Sequence, residues 1–350
     1  MTREAPASLL PSLEAVDFVC PRCRGELATD GDAFRCSPCN RRYPLTGGIP
    51  DFRVLRDPYL SVEEDLARSR RILEVIDRLP FPDLLAHYWS LSEETPPPLR
   101  ERFVATAMRG EERARRTFAA LSPAERGRLR SVLEVGTGTG NLLAAADGVV
   151  PRIVGTDVAM RWLHVARRRL RDAARPEPAL ACCGGEFLPF RDGSFDAVVS
   201  VATLEFVPDA KAFLSECSRV VAPGGILLLS AVNRFTIGRE PHVALWGVGF
   251  LPRAWQAGYV RRRQGASFEN VHLRSRGELR RLAAACSLEA DFFLPDLGDE
   301  EARRLSSGAR LALRVYQLAK RFAAGRALLR QFGPEWVVVL RKDGPGLSNR

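Results

Sequence analysis

The stretch Ser131 to Gly140, Ser-Val-Leu-Glu-Val-Gly-Thr-Gly-Thr-Gly, sets Gly136, Gly138 and Gly140 at alternate positions directly behind a short apolar run. A helix-like run, Asn141 to Ala146, follows. Strand, tight glycine loop and helix together let a ligand press against bare backbone at a helix N-terminus. A second apolar run, Ile153-Val-Gly-Thr156, ends in Asp157. A carboxylate at the tip of the second strand of such a unit takes the hydroxyls of a ribose. The chemistry these residues suit is the binding of a nucleotide-like cofactor.

Four cysteines form a second constellation. Cys20-Pro-Arg-Cys23 and Cys36-Ser-Pro-Cys39 are two CxxC knuckles with twelve residues between them. That spacing brings four thiolates into a tetrahedron around zinc, with short hairpins between. So small a unit buries too little apolar surface to fold unaided, so the metal supplies the folding energy. With cysteine at all four positions no coordination site stays open, which makes the zinc structural. Cys182, Cys183, Cys217 and Cys286 are scattered in apolar segments and are expected to be reduced core residues.

These residues need elements to hold them. From Leu129 onward short apolar strands alternate with helices. Strands are expected at 132–135, 153–156, 180–182, 196–201, 225–231, 288–293 and 336–340. Helices are expected around 141–146, 160–171, 210–220 and 275–286. The alternation predicts an α/β fold: a doubly wound, Rossmann-like seven-stranded sheet. Ahead of it, 56–125 is helical in pattern and charged. One helix spans Glu63 to Leu79, stopped by Pro80-Phe-Pro82; Pro96-Pro-Pro98 is a stiff spacer, and a second helix spans Glu101 to Leu121. His87, Tyr88 and Trp89 between these breaks either line a substrate site or form the core of a helical connector.

Several motifs in order resemble the class I S-adenosylmethionine-dependent methyltransferases. Glu134-Val-Gly-Thr-Gly-Thr-Gly140 resembles their first motif, and Gly155-Thr-Asp157 their ribose-binding strand end. Phe187-Leu-Pro-Phe190 with Asp192-Gly-Ser-Phe-Asp-Ala-Val-Val-Ser200 is similar to the segment leading into and along their fourth strand. Leu204-Glu-Phe-Val-Pro-Asp209 and Arg219-Val-Val-Ala-Pro-Gly-Gly-Ile226 close the pattern. The resemblance implies S-adenosyl-L-methionine as cofactor. Gly136, Thr137, Gly138 and Gly140 then form the loop against its methionine part, and the helix N–H groups after Gly140 favour its carboxylate. Glu134 reaches its ammonium, Asp157 its ribose hydroxyls, and Val158 packs on its adenine. The family usually has an acid at the position of Gly184; here either Glu186 or backbone takes its place on the adenine amino group.

The tail of the cysteine unit, Arg41 to Phe52, resembles the zinc ribbon of tRNA-methyltransferase activator proteins and the ribbon fused ahead of some bacterial methyltransferases. A four-Cys ribbon before a methyltransferase domain looks like the layout of ribosomal-RNA guanine methyltransferases, which implies an RNA acceptor. The fourth-strand end, Ser200-Val-Ala-Thr-Leu-Glu205, looks more like small-molecule enzymes, including quinone and natural-product methyltransferases. The expectation is methyl transfer to a small-molecule or lipid-linked acceptor, with RNA base methylation as the alternative and a non-catalytic scaffold as the second.

Methyl transfer is largely alignment, but a weakly acidic acceptor also needs a base. The candidates are Glu205 after the fourth strand and Asn233 and His242 after the fifth, because open α/β sheets place active sites at C-terminal strand ends. Beyond Asn233, the aromatics Phe235, Trp246, Phe250, Trp255 and Tyr259 precede Arg261-Arg-Arg263. They suit an apolar lid, stacked bases, or an amphipathic cover making peripheral contact with a membrane. A basic helix around 311–329 is expected to have a solvated face.

The expected division is a zinc ribbon at 14–55, a helical connector at 56–125 and a methyltransferase domain at 126–345, with insertions at 233–272 and 296–333. The net charge of +10 favours an anionic partner, or reflects the arginine content of a high-GC genome. The first seventeen residues hold no long apolar run, and no stretch approaches about eighteen uncharged apolar residues. The expected location is cytoplasmic.

Overall fold

The computed structural model of the chain describes residues 11–92, 95–295 and 307–343. Residues 296–306 of the second expected insertion and 344–345 of the expected methyltransferase domain lie outside the described residues.

A short helix, α1 (Pro11–Glu14), precedes a four-stranded antiparallel sheet of β1 (Leu27–Thr29), β2 (Ala33–Cys36), β3 (Arg42–Thr46) and β4 (Ile49–Pro50). Next come α2 (Val62–Val75), α3 (Phe81–Ser90), α4 (Pro97–Phe118) and α5 (Pro123–Arg128). The large sheet contains β5 (Ser131–Val135), β6 (Arg152–Asp157), β7 (Ala179–Cys182), β8 (Phe195–Val201), β9 (Val221–Val232), β10 (Leu288–Phe293) and β11 (Glu335–Lys342). Its helices are α6 (Asn141–Ala146), α7 (Met160–Asp172), α8 (Ala210–Val220), α9 (Arg253–Gln264), α10 (Arg276–Ala285), α11 (Ser307–Arg321) and α12 (Ala323–Phe332).

The strand order is β10-β11-β9-β8-β5-β6-β7. The five strands from β9 to β7 pair in parallel, and β11 runs antiparallel to both β9 and β10. The order reverses on either side of β5, so the loops after β5 and β8 open into one crevice. Strands covered on both faces read as continuous apolar runs, and Val132, Leu133 and Val135 of β5 are all buried.

All seven expected strands form. The helical connector differs in its punctuation. Pro80 stands between α2 and α3 as expected and caps α3, with Pro82 in its first turn, but Pro96 caps α4 and Pro97 and Pro98 open it, so that group is a helix start and not a spacer. Proline fits the first helical turn, where its missing N–H has no partner to lose. The basic helix expected around 311–329 is two helices that meet at Phe322.

The small sheet is fastened to the edge of the large one. Asp51 bridges Cys182 in parallel, Phe52 donates its N–H to Cys182 O at 2.8 Å, and Val19 donates to Pro189 O at 3.0 Å. Phe18 stacks at 5.1 Å on Phe52 and 5.6 Å on Phe190, so one aromatic core serves both sheets. This docking covers the β7 edge, which would otherwise present unpaired backbone groups.

Candidate functional site

The glycine loop leaves β5 and returns into α6. Gly136 and Thr137 both donate to Thr156 O, at 2.8 and 2.9 Å, which ties the loop to β6. Gly136 has φ +85°, and a Cβ there would stand 2.1 Å from Thr203 Oγ1. The loop is therefore pressed against the turn that follows β8. Gly138, at φ +51°, faces open space. Behind the loop Glu134 is buried, and its carboxylate accepts a hydrogen bond from Thr137 Oγ1 at 3.3 Å. Burial first, and then nearby Asp157, push its carboxyl well above the usual carboxylate range.

Asp157 closes the same cradle. It accepts Gly138 N–H at 2.8 Å and Ala159 N–H at 2.9 Å, and burial pushes its pKa up to about 6. Val158, half-buried beside it, gives its carbonyl to Cys182 Sγ at 3.5 Å. Glu186 folds back over Gly184: its Oε2 lies 3.3 Å from where a Cβ at 184 would sit. Its carboxylate thus occupies the place that the missing acid would have entered. Glu134, Thr137, Gly138 and Asp157 are linked through these contacts, and two carboxylates beside bare loop backbone fit a group carrying an ammonium, a carboxylate and a ribose, while Gly140 packs on Ala166 of α7.

A second cluster forms beyond the loop. The turn after β8 carries Leu204-Glu-Phe206 as a single 3-10 turn. Glu205 is buried, and neither of its carboxylate oxygens accepts a hydrogen bond. His242 Nε2 lies 3.4 Å from Glu205 Oε1, and His242 Nδ1 lies 2.5 Å from Glu240 Oε1. Burial opposes the imidazolium charge, but the two carboxylates override it and hold the His242 pKa up at about 10. Phe206 meets the His242 ring edge-on at 5.1 Å, and Tyr59 meets Phe206 at 6.1 Å. Arg274 braces the turn from outside, donating to Leu204 O and Val207 O at 2.8 and 2.9 Å. Ala202 and Ala244 flank the cluster in left-handed conformation, φ +52° and +54°, a strain of about 1–2 kcal/mol for each non-glycine residue.

Asn233 does not join this cluster. Its amide N–H groups donate to Gln331 O and Gly333 O, and its Oδ1 accepts Phe235 N–H. The side chain fixes the end of β9 to the end of α12 and offers no free polar atom to an acceptor.

The four cysteines converge as well. All four Sγ atoms lie within 4.8 Å of one another, with Cys20···Cys39 at 3.7 Å and Cys23···Cys36 at 3.4 Å. Tetrahedral Zn–S bonds of about 2.3 Å require S···S edges near these distances. The residue after each knuckle, Arg24 and Asn40, is left-handed, and each donates back to the first cysteine of its knuckle. The site fits zinc.

A methyltransferase-domain family model matches residues 133–229, which run from β5 through the glycine loop, Asp157 and the Glu205 turn into β9. These residues form a methyltransferase domain. Over 159 residues it is 30% identical to a ubiquinone biosynthesis O-methyltransferase of Thiobacillus denitrificans, covering 44% of this chain and 61% of that one. Over 122 residues it is 36% identical to a demethylmenaquinone methyltransferase of Tropheryma whipplei, covering 35% of this chain and 50% of that one. The chain thus spans a little over half the length of these relatives. Among solved structures, a methyltransferase of Mesorhizobium loti aligns with 67% of this chain and 98% of its own, at 21% identity and TM-score 0.44.

The methyltransferase domain is buttressed by a buried charge network absent from the sequence reading. Arg161 of α7 pairs with Asp57 and with Asp65 of α2, each at 2.6 Å, and donates to Tyr88 Oη at 2.9 Å. Arg53 joins Asp65 at 2.8 Å and Asp51 at 2.5 Å. Tyr88 is therefore core, stacked at 4.3 Å on Trp162; Trp89 lies at 4.9 Å on Phe103, and His87 is half-buried beside them. Glu240 was missed too. Its only trace in the sequence is an acid two residues before a histidine in a turn.

Proposed function

We propose that this methyltransferase moves a methyl group to a hydroxyl of a small-molecule or lipid-linked acceptor, with Glu205 as the proton acceptor. The carrying observation is the open Glu205 carboxylate, buried without a hydrogen bond on a turn packed against Gly136. S-adenosylmethionine, when bound, supplies an electrophilic methyl group. Glu134, Asp157 and the bare backbone at Gly138 would hold it, with Glu186 and Val158 at its adenine end.

Glu205 takes the proton of the acceptor hydroxyl as the oxygen attacks. His242, its pKa held up at about 10, lies 3.4 Å from that carboxylate and orients it, and Glu240 holds the ring from its other nitrogen. Tyr59 and Phe206 give the opening an apolar wall that suits an aromatic or isoprenoid-like acceptor. The names of the quinone-pathway relatives support the same acceptor class. We further propose that 14–55 is a ribbon folded on structural zinc held by Cys20, Cys23, Cys36 and Cys39, that 56–125 is a connector, and that 126–345 is the catalytic domain.

Calorimetry with S-adenosylmethionine, using Asp157→Ala as control, tests the cofactor site. Mass spectrometry of a cell extract incubated with the enzyme and labelled S-adenosylmethionine then identifies the methylated product. A labelled nucleic acid in place of a labelled small molecule or lipid would overturn the acceptor class.

A further inference from the structure

Helix α11 has two opposite faces. Leu313 is buried, Tyr316 donates its hydroxyl to Pro295 O at 2.8 Å, and Lys320 reaches Leu294 O at 3.3 Å. These three positions share the face turned toward the end of β10. Leu311, Val315 and Leu318, continued by Phe322 at the joint with α12, lie at i, i+4, i+7 and i+11 on the other side. They are 63%, 60%, 54% and 61% exposed. Leu328 of α12 is exposed as well, and so is Ile237, whose N–H bonds to Phe332 O where α12 ends.

Within the hairpin itself the charge has one sign. From Ser307 to Phe332 there are six cations, Arg310, Arg314, Lys320, Arg321, Arg326 and Arg330, and no carboxylate. Arg310, Arg314 and Arg321 run at i, i+4 and i+11 along one flank of the apolar row. A large apolar row on a soluble surface marks an interaction site. An apolar face edged with arginine is the form of a helix that lies in the plane of a membrane interface. The face is aliphatic but for Phe322, so it offers bases little to stack on. A second copy would bring cationic rim against cationic rim.

We propose that the α11–α12 hairpin docks this protein onto an anionic phospholipid surface, with its apolar row in the headgroup–acyl boundary and its arginines on the lipid phosphates. The docking is independent of the acceptor reading.

The test is flotation of the full chain with vesicles of phosphatidylcholine alone and of phosphatidylcholine mixed with phosphatidylglycerol. The protein floats with the anionic vesicles, stays behind with the neutral ones, and is released by salt. Arg310→Gln/Arg314→Gln/Arg321→Gln lowers partitioning roughly a hundredfold. Val315→Glu/Leu318→Glu abolishes it; should that variant melt early, the arginine variant, which leaves the apolar packing untouched, decides alone. No flotation at low salt overturns the proposal, as does flotation unchanged by both variants. Retention of RNA in place of vesicles overturns it too. A vesicle-free dimer in sedimentation velocity that Val315→Glu/Leu318→Glu dissolves assigns the face to a second copy and also overturns it.

Discussion

Glu205 Oε1 stands 3.4 Å from His242 Nε2, and both oxygens of that carboxylate are otherwise free of hydrogen bonds. A charged ring beside a buried carboxylate splits the work between them: the carboxylate accepts a proton and the imidazolium orients it. Glu205→Gln keeps the shape and removes the acceptor. Its kcat is expected to fall roughly 10²–10⁴-fold, with S-adenosylmethionine affinity unchanged. Glu240→Gln acts through the ring: the His242 pKa drops from about 10 toward its ordinary value, and the pH profile shifts with it. NMR titration of the ring separates these outcomes. An unshifted His242 in Glu240→Gln would remove the positioning role.

Asp157 gives the cofactor site a pH signature. Burial lifts its pKa to about 6, and a protonated acid accepts ribose hydroxyl hydrogens poorly. Affinity for S-adenosylmethionine is expected to fall as pH drops through about 6 and to be flat above it. Asp157→Ala loses charge-assisted bonds of about 1.5–3 kcal/mol, a weakening of roughly ten- to a hundredfold, and loses the pH step as well. Calorimetry between pH 5 and 8 reads both. A step that persists in Asp157→Ala would point to another group.

Much of this was legible in the sequence because it is local. The glycine loop, the strand-end Asp157 and the CxxC knuckles are set by neighbours within a few residues, and each appears where expected. What was missed depends on partners far along the chain. Asp65 looks like one more acid in the first turn of a charged helix, yet Arg161, 96 positions on, makes it a buried anchor. Asn233 sits at a strand end where active sites gather, but backbone carbonyls near Gly333 claim its amide. The joint at Phe322 places its glycine three residues on, at Gly325, where a Cβ would stand 2.1 Å from Ala319 O, so two helices read as one.

The cysteine cluster reaches beyond its own sheet. Phe52 is fully buried among the aromatics of the small sheet, and Phe18, packed on it at 5.1 Å, carries the contact on to Phe190 beside the large sheet. If zinc holds the ribbon, chelation or Cys36→Ser should loosen that shared core and uncover the β7 edge. The melting temperature is expected to fall by at least about 5 °C, the shift that a loss of about 2 kcal/mol produces in a domain of this size. Differential scanning calorimetry with zinc added back checks it. A melt indifferent to chelator would remove zinc from the fold.

His164 makes the same contact sensitive to acid. It is fully buried in α7, neither ring nitrogen has a hydrogen bond, and a Cβ on Gly47 of the ribbon tip would lie 2.8 Å from its Cε1. Burial, and then Arg167, depress its pKa to about 3 from an ordinary 6.5. Between those values the unfolded chain binds a proton that the folded one refuses, so stability rises with pH across that window and is lost on acidification. From pH 7 to pH 5 the loss from this one group is about 2 kcal/mol. His164→Leu should flatten that part of the profile while changing stability at pH 7 by less than about 1.5 kcal/mol. Urea melts of both proteins at pH 5, 6 and 7 make the comparison, and equal acid sensitivity in the two would place the titrating group elsewhere.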